Sequence, residues 1–118
     1  MFSSTSYAGW TKVSFLDEGV NFYVDFERIR KHGGYIYYWS LSDYLKPSPE
    51  GNLSAKSYTQ GDCKLFRAMT LSEHRYTGPM GSGNLRVWTP NESQKRWIYA
   101  PPRSVMEEKL KAVCRYAN

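Results

Sequence analysis

Tyr35-Ile36-Tyr37-Tyr38-Trp39-Ser40-Leu41-Ser42-Asp43-Tyr44 is the stretch whose reading decides the fold. It is dense in aromatic and β-branched side chains, which fit a pleated surface. Strand alternation sends Tyr35, Tyr37, Trp39 and Leu41 to one face and Ile36 and Tyr38 to the other, so both faces are expected to be at least partly covered. Upstream, Trp10 to Phe15 and Val20 to Phe26 read as the two strands of a hairpin. The reversal Leu16-Asp17-Glu18-Gly19 between them uses the freedom of Gly19 to take a positive φ. Glu27 to His32 reads as a short helical turn stopped by Gly33-Gly34.

Downstream, Lys46-Pro47-Ser48-Pro49-Glu50-Gly51-Asn52 is a loop, because its two prolines can neither continue a helix nor donate to a ladder. Ala55 to Gln60 reads as a polar strand near an edge. Cys63 to Leu71 follows as a strand that places Cys63, Leu65, Arg67, Met69 and Leu71 on one face. Tyr76 to Asn84, rich in glycine, is a loop; Leu85 to Thr89 is a strand, and Trp97 to Ala100 a short extended piece. The C-terminus differs in kind. Ser104 followed three residues later by Glu107 is a capping box, and Met106, Leu110, Val113, Cys114 and Ala117 then recur at helical spacing on one face. That face points Cys114 at the sheet.

At 118 residues the chain makes one domain, 1–118. Four Trp, ten Tyr and five Phe give an aromatic core and argue against disorder. No run approaches the ~18 to 20 apolar residues of a membrane span. The opening Met1-Phe2-Ser3-Ser4-Thr5-Ser6 has neither a basic nor an apolar leader region, so no signal segment is expected in this chain. The formal charge of +5 is uneven. Six Lys and Arg balance six Asp and Glu over 1–59, whereas 60–118 carries ten basic and five acidic side chains, which suggests a basic surface for an acidic partner.

The chemistry of catalysis has no recognisable spacing here: no nucleophile with a base, no carboxylate pair, no metal cluster. No enzyme activity, metal or cofactor is expected. His32 and His74 read as isolated surface histidines on turns. Cys63 and Cys114 are two buried thiols in a reducing compartment or one bridge in an oxidising one. The densest basic and aromatic stretch is Arg86, Trp88, Lys95, Arg96 and Trp97, and these five are the candidate binding residues. Such interleaving also suits nucleic acid. The recognition-motif strand is absent, however, and only one helix is present where that fold needs two, so no nucleic acid is expected. Arg67 is expected to be structural, its charge paired, with Glu107 a feasible partner.

The chain resembles the surface adhesin E-like family of small bacterial exported domains over Trp10 to Cys114. The resemblance is carried by Trp10-Thr11-Lys12-Val13, Phe22-Tyr23-Val24-Asp25, Ile29-Arg30, and Trp39 to Tyr44 ahead of a Pro loop. It continues in Asp62-Cys63-Lys64 with Arg67, Tyr76 before Met80-Gly81-Ser82-Gly83, Trp97 before Pro101-Pro102, and the helix ending at Cys114. It implies an α+β domain: a strongly bent antiparallel sheet of about six strands, with one C-terminal helix on the concave face tethered by a Cys63–Cys114 disulfide. It also implies an exported, non-enzymatic binding module at the periplasm or outer-membrane surface, an adhesin for a host matrix or bacterial envelope protein. It implies membrane attachment only through a lipid anchor, a segment not expected in this chain. The alternative is a periplasmic or envelope domain that is structural or docks a ligand, with a nucleic-acid binder third.

Overall fold

The long strands come from the long aromatic and β-branched runs. In a computed structural model describing residues 6, 7 and 9–117, these are β2 (Trp10–Leu16), β3 (Val20–Asp25), β5 (Tyr35–Tyr44), β6 (Ser54–Asp62) and β7 (Arg67–Tyr76). Shorter strands are β1 (Ser6–Tyr7), β4 (Arg30–His32), β8 (Leu85–Trp88) and β9 (Ile98–Tyr99), and one helix, α1 (Val105–Ala117), ends the chain. The opening Met1 to Thr5, on which the reading of the leader falls, lies outside the described residues. All pairings are antiparallel, in the order β1-β2-β3-β5-β6-β7-β8. The sheet is open and bent, and α1 packs on its concave side against β2, β3 and β5. Register shifts at Lys12/Ser14 and Tyr58/Thr59 mark bulges, which bend the strands that carry them.

Both long flanking edges are shared. The edge of β5 pairs with β3 near Ser40 to Tyr44 and with β4 near Tyr35 to Tyr37. The free edge of β7 pairs with β8 at Glu73 to Tyr76 and with β9 at Arg67 and Ala68. The expected helical turn at Glu27 to His32 is therefore corrected. A 3-10 turn, Phe26–Arg28, is capped by Asp25, whose carboxylate accepts the Glu27 N–H at 3.1 Å, and the chain then pairs as β4. Pairing with β5 supplies hydrogen bonds that a six-residue helix could not.

The core lies under the helix. Val24, Ile36, Tyr38, Leu110, Val113 and Cys114 are buried together there. The expected edge position of Ala55 to Gln60 is wrong, since β6 sits between β5 and β7. At Gly61 the helix and β5 crowd the strand: a Cβ there would come within 3.1 Å of Ile36 and Leu110 and 3.2 Å of Tyr38. The expected strand from Cys63 also begins late. The Asp62 carboxylate accepts the N–H groups of Lys64 and Leu65, both at 3.1 Å, so the chain turns through Cys63 to Phe66 before β7 starts at Arg67. Cys63 is thus a turn residue, and it is bonded to Cys114 with a Cα–Cα separation of 5.7 Å.

Candidate functional site

Paired residues of antiparallel strands share a face, so the register assigns every candidate a side. Arg86 lies opposite Arg75 and Trp88 opposite Glu73, on the helix-bearing side but out on the last strand, β8. Tyr99 lies opposite Arg67 on the other side, and Trp97 stacks there, 5.3 Å from Tyr35 and with the Arg67 guanidinium 4.3 Å from its ring centroid. The five candidates consequently do not form one patch. Arg86 and Trp88 are exposed together, while Trp97 is half-buried. Lys95 and Arg96 sit in the connecting loop. Lys95 pairs with Glu92 at 2.9 Å, and Arg96 donates to the carbonyls of Ser93 and Lys95.

What this flank does present is apolar surface. Leu85, Val87, Trp88, Ile98 and Tyr99 are between 41% and 61% exposed, all on β8 and β9. Tyr76, next along the sheet, is by contrast buried. Among the described residues, β8 has no further strand on its outer edge.

Arg67 is paired, but with Asp62, its Nε 2.9 Å from Oδ2; Glu107 instead accepts the Arg103 N–H at 2.9 Å. Burial pushes the Asp62 carboxyl up, and the Leu65 N–H, the Arg67 guanidinium and the Lys64 N–H outweigh it and hold the group below the ordinary carboxylate range. The bond to Asp62 in turn raises Arg67. On the helix side, Lys109 is held below the usual lysine range by burial beside Phe22 and Ser40, an effect that Glu73 partly offsets.

A second group emerges that sequence reading did not assemble. On the face away from α1, Trp39 lies 4.9 Å from Tyr58 and 5.0 Å from His74, and Tyr37 lies 6.3 Å from Tyr58, centroid to centroid. Arg28, Arg30, Trp39 and Tyr58 line a depression of about 310 Å³ there. The alternation of β5 shows its aromatic half, but the partners come from β4, β6 and β7 and depend on register. His32 and His74, expected on turns, are both in strands, β4 and β7. Among the described residues no group of three His, Cys, Asp or Glu side chains could hold a metal ion, and no helix is long and apolar enough to cross a membrane.

Comparison with known proteins puts this geometry in context. No curated protein matches the chain in sequence. Among solved structures it is similar to crystal form II of Haemophilus influenzae protein E, with a TM-score of 0.69 at 17% identity, covering 98% of this chain and 95% of that one. Protein E from non-typeable Haemophilus influenzae aligns with a TM-score of 0.63 at 16% identity, over 96% of this chain and 80% of that one. These likenesses show the shared fold, a bent sheet with one C-terminal helix. The disulfide fits an exported protein, since such bonds persist in oxidising compartments. The model of the family described as surface-adhesin protein E matches residues 10–115. By that match over nearly all of its length, the chain belongs to the surface-adhesin protein E family.

Proposed function

We propose that this domain is an exported, non-enzymatic adhesin at the outer-membrane surface, binding a protein of the host matrix or bacterial envelope through the β8–β9 flank. The observation that carries the reading is the exposure of Leu85, Val87, Trp88, Ile98 and Tyr99 on the two short strands that line the β7 edge. Apolar patches of that kind mark interaction sites, and an open edge strand offers main-chain hydrogen bonds to an extended segment of a partner. Arg86 supplies the charge. Among the described residues it has no ion pair, whereas neighbouring Arg75 is joined to Glu73. Lys95 and Arg96 act at the rim, where cations set on-rate and salt dependence more than affinity. Trp97 supports the site by packing β9 against Tyr35 and Arg67. An acidic segment of the partner completes the match.

The test is a pull-down from host matrix or native envelope with the folded domain as bait, repeated with Arg86→Glu and Trp88→Ala. Loss of the captured protein with both variants, at an unchanged melting temperature, supports this flank. Capture that survives both at the same salt dependence moves the site elsewhere.

A further inference from the structure

Around Trp39 and Tyr58, away from the β8–β9 flank, the face of the sheet opposite α1 carries an aromatic and cationic surface that the protein-binding reading does not use. From the position of Trp39, Tyr58, Arg28 and Arg30 around one depression, we propose that this face binds an acidic polysaccharide of the heparin class, a chain of pyranose rings bearing carboxylate and sulfate groups.

Three observations converge. The first is the floor. Tyr35, Tyr37 and Trp39 alternate along β5 on the same side, spanning about 13 Å at the rise of a strand. Trp97 extends the row at one end, and Tyr58 and His74 widen it at the other. The rings of Trp39 and Tyr58 are inclined at 36°, and the pair makes a shallow trough rather than a slot. A pyranose presents a face of C–H groups with partial positive charge, which the negative face of an aromatic ring attracts. A run of rings along one strand suits a chain of sugars.

The second is the charge beside the floor. Arg30 is exposed on the short strand β4, shares a face with Tyr37, and has no ion pair among the described residues. The Arg28 side chain is 73% exposed and touches Asp25 only at 3.4 Å. A guanidinium presents paired N–H donors that match carboxylate or sulfate oxygens. A depression of about 310 Å³ between these groups and the two rings lies at the small end of ligand sites, the scale of one sugar unit and its acidic substituent.

The third is what happens to the negative charge. Alternation puts Asp25, Asp43 and Asp62 on this side, and all three are turned into internal bonds. Asp25 accepts the Glu27 N–H, Asp43 accepts the Met80 N–H at 2.7 Å, and Asp62 is held by Arg67 and two amides. An anionic chain on this face therefore meets guanidinium groups and ring faces while the nearby carboxylates are occupied. The disulfide favours a polysaccharide over a single-stranded nucleic acid as the polyanion, because it belongs to a compartment where glycans are the common acidic polymers.

Isothermal titration of the full chain with a heparin octasaccharide tests this, with neutral dextran of equal length and single-stranded DNA as the other arms. The octasaccharide should bind and dextran should not. Arg30→Gln should weaken binding about tenfold, as loss of one charge-assisted hydrogen bond does. Trp39→Ala should weaken it at least as much, and Arg86→Glu on the far flank should leave it unchanged. If Trp39→Ala fails to fold, Arg30→Gln, on an exposed strand, decides alone. Absence of octasaccharide binding overturns the proposal. So does binding that Arg86→Glu abolishes and Arg30→Gln does not, or equal affinity for DNA with the same dependence on Trp39.

Discussion

The two faces of this sheet are made from the same strands and have opposite properties. On the concave side, Val24, Ile36 and Tyr38 lie under Leu110, Val113 and Cys114 with almost no exposure. On the other side, Tyr35, Tyr37, Trp39, Tyr58 and His74 keep part of each ring in water. At one end that outer face is closed. There the Pro79–Gly81 turn, fastened by the Met80 N–H on Asp43 and the Gly81 N–H on Ser54 Oγ, accompanies the buried Leu41. The difference teaches that hydrophobic side chains alone do not identify the core of a sheet. A helix tethered by a disulfide decides which face is core, and aromatic rings left on the other face are a resource for contact.

The largest test of that division is the tether. Cys63 and Cys114 close a loop with a sequence separation of 51, for which the chain-entropy relation gives about 4 kcal/mol. Replacing both with Ala should lower the urea midpoint accordingly with binding residues untouched. A midpoint shift under about 1 kcal/mol would mean that packing, not the bridge, holds the helix in place.

Next in size is the helix face itself. Leu110 is fully buried, and Leu110→Ala should cost about 3 kcal/mol through lost burial and a cavity. Arg30→Gln, on the exposed edge of the other face, should stay within about 0.5 kcal/mol. Equal costs by chemical denaturation would erase the distinction between the two faces.

This division was half legible in the sequence. The alternation of Tyr35 to Leu41 against Ile36 and Tyr38 shows two faces, and the spacing of Leu110, Val113 and Cys114 shows what lies on one of them. The sequence could not show which face the helix takes, because that follows from the position of Cys63 in a turn set by Asp62. The polar side chains of Ala55 to Gln60 suggest an edge, yet β6 is central, because its place is set by pairing with β5 on one side and β7 on the other. The Arg28 and Arg30 site was missed for a related reason. Glu27 to His32 looks helical until β5 offers it a ladder, and only that pairing places Arg30 beside Tyr37.

A smaller effect separates the ends of the open face. The Asp62 carboxyl is held below its ordinary value of 3.8, so its contribution to stability is present above that pH and lost as pH falls through the folded value. Asp62→Asn should flatten the acid limb of the stability curve and lower the midpoint at neutral pH by less than Leu110→Ala does. It should also loosen Trp97, which rests on Arg67. An acid limb identical to that of the wild type would assign the pH dependence to other carboxylates.

The smallest effect lies at the start of the helix. Ser104 Oγ accepts the Glu107 N–H at 3.0 Å and donates to the Pro101 carbonyl at 2.7 Å, so the cap is made as the sequence predicts. The return half of the box is displaced by one residue: Glu107 accepts from the Arg103 amide, while the Ser104 amide donates to Pro101 at 3.3 Å. Ser104→Ala removes the side-chain bonds and keeps the backbone ones, and should cost about 1 kcal/mol in the urea midpoint, with Thr restoring most of it. Because the first turn lies far along α1 from the bridged Cys114, its fraying should leave the tether intact. It should also leave binding at the open face unchanged, which makes this variant a control for the two-sided reading. A loss of binding in Ser104→Ala equal to that in Arg30→Gln would show that the two faces are coupled through the sheet and do not act separately.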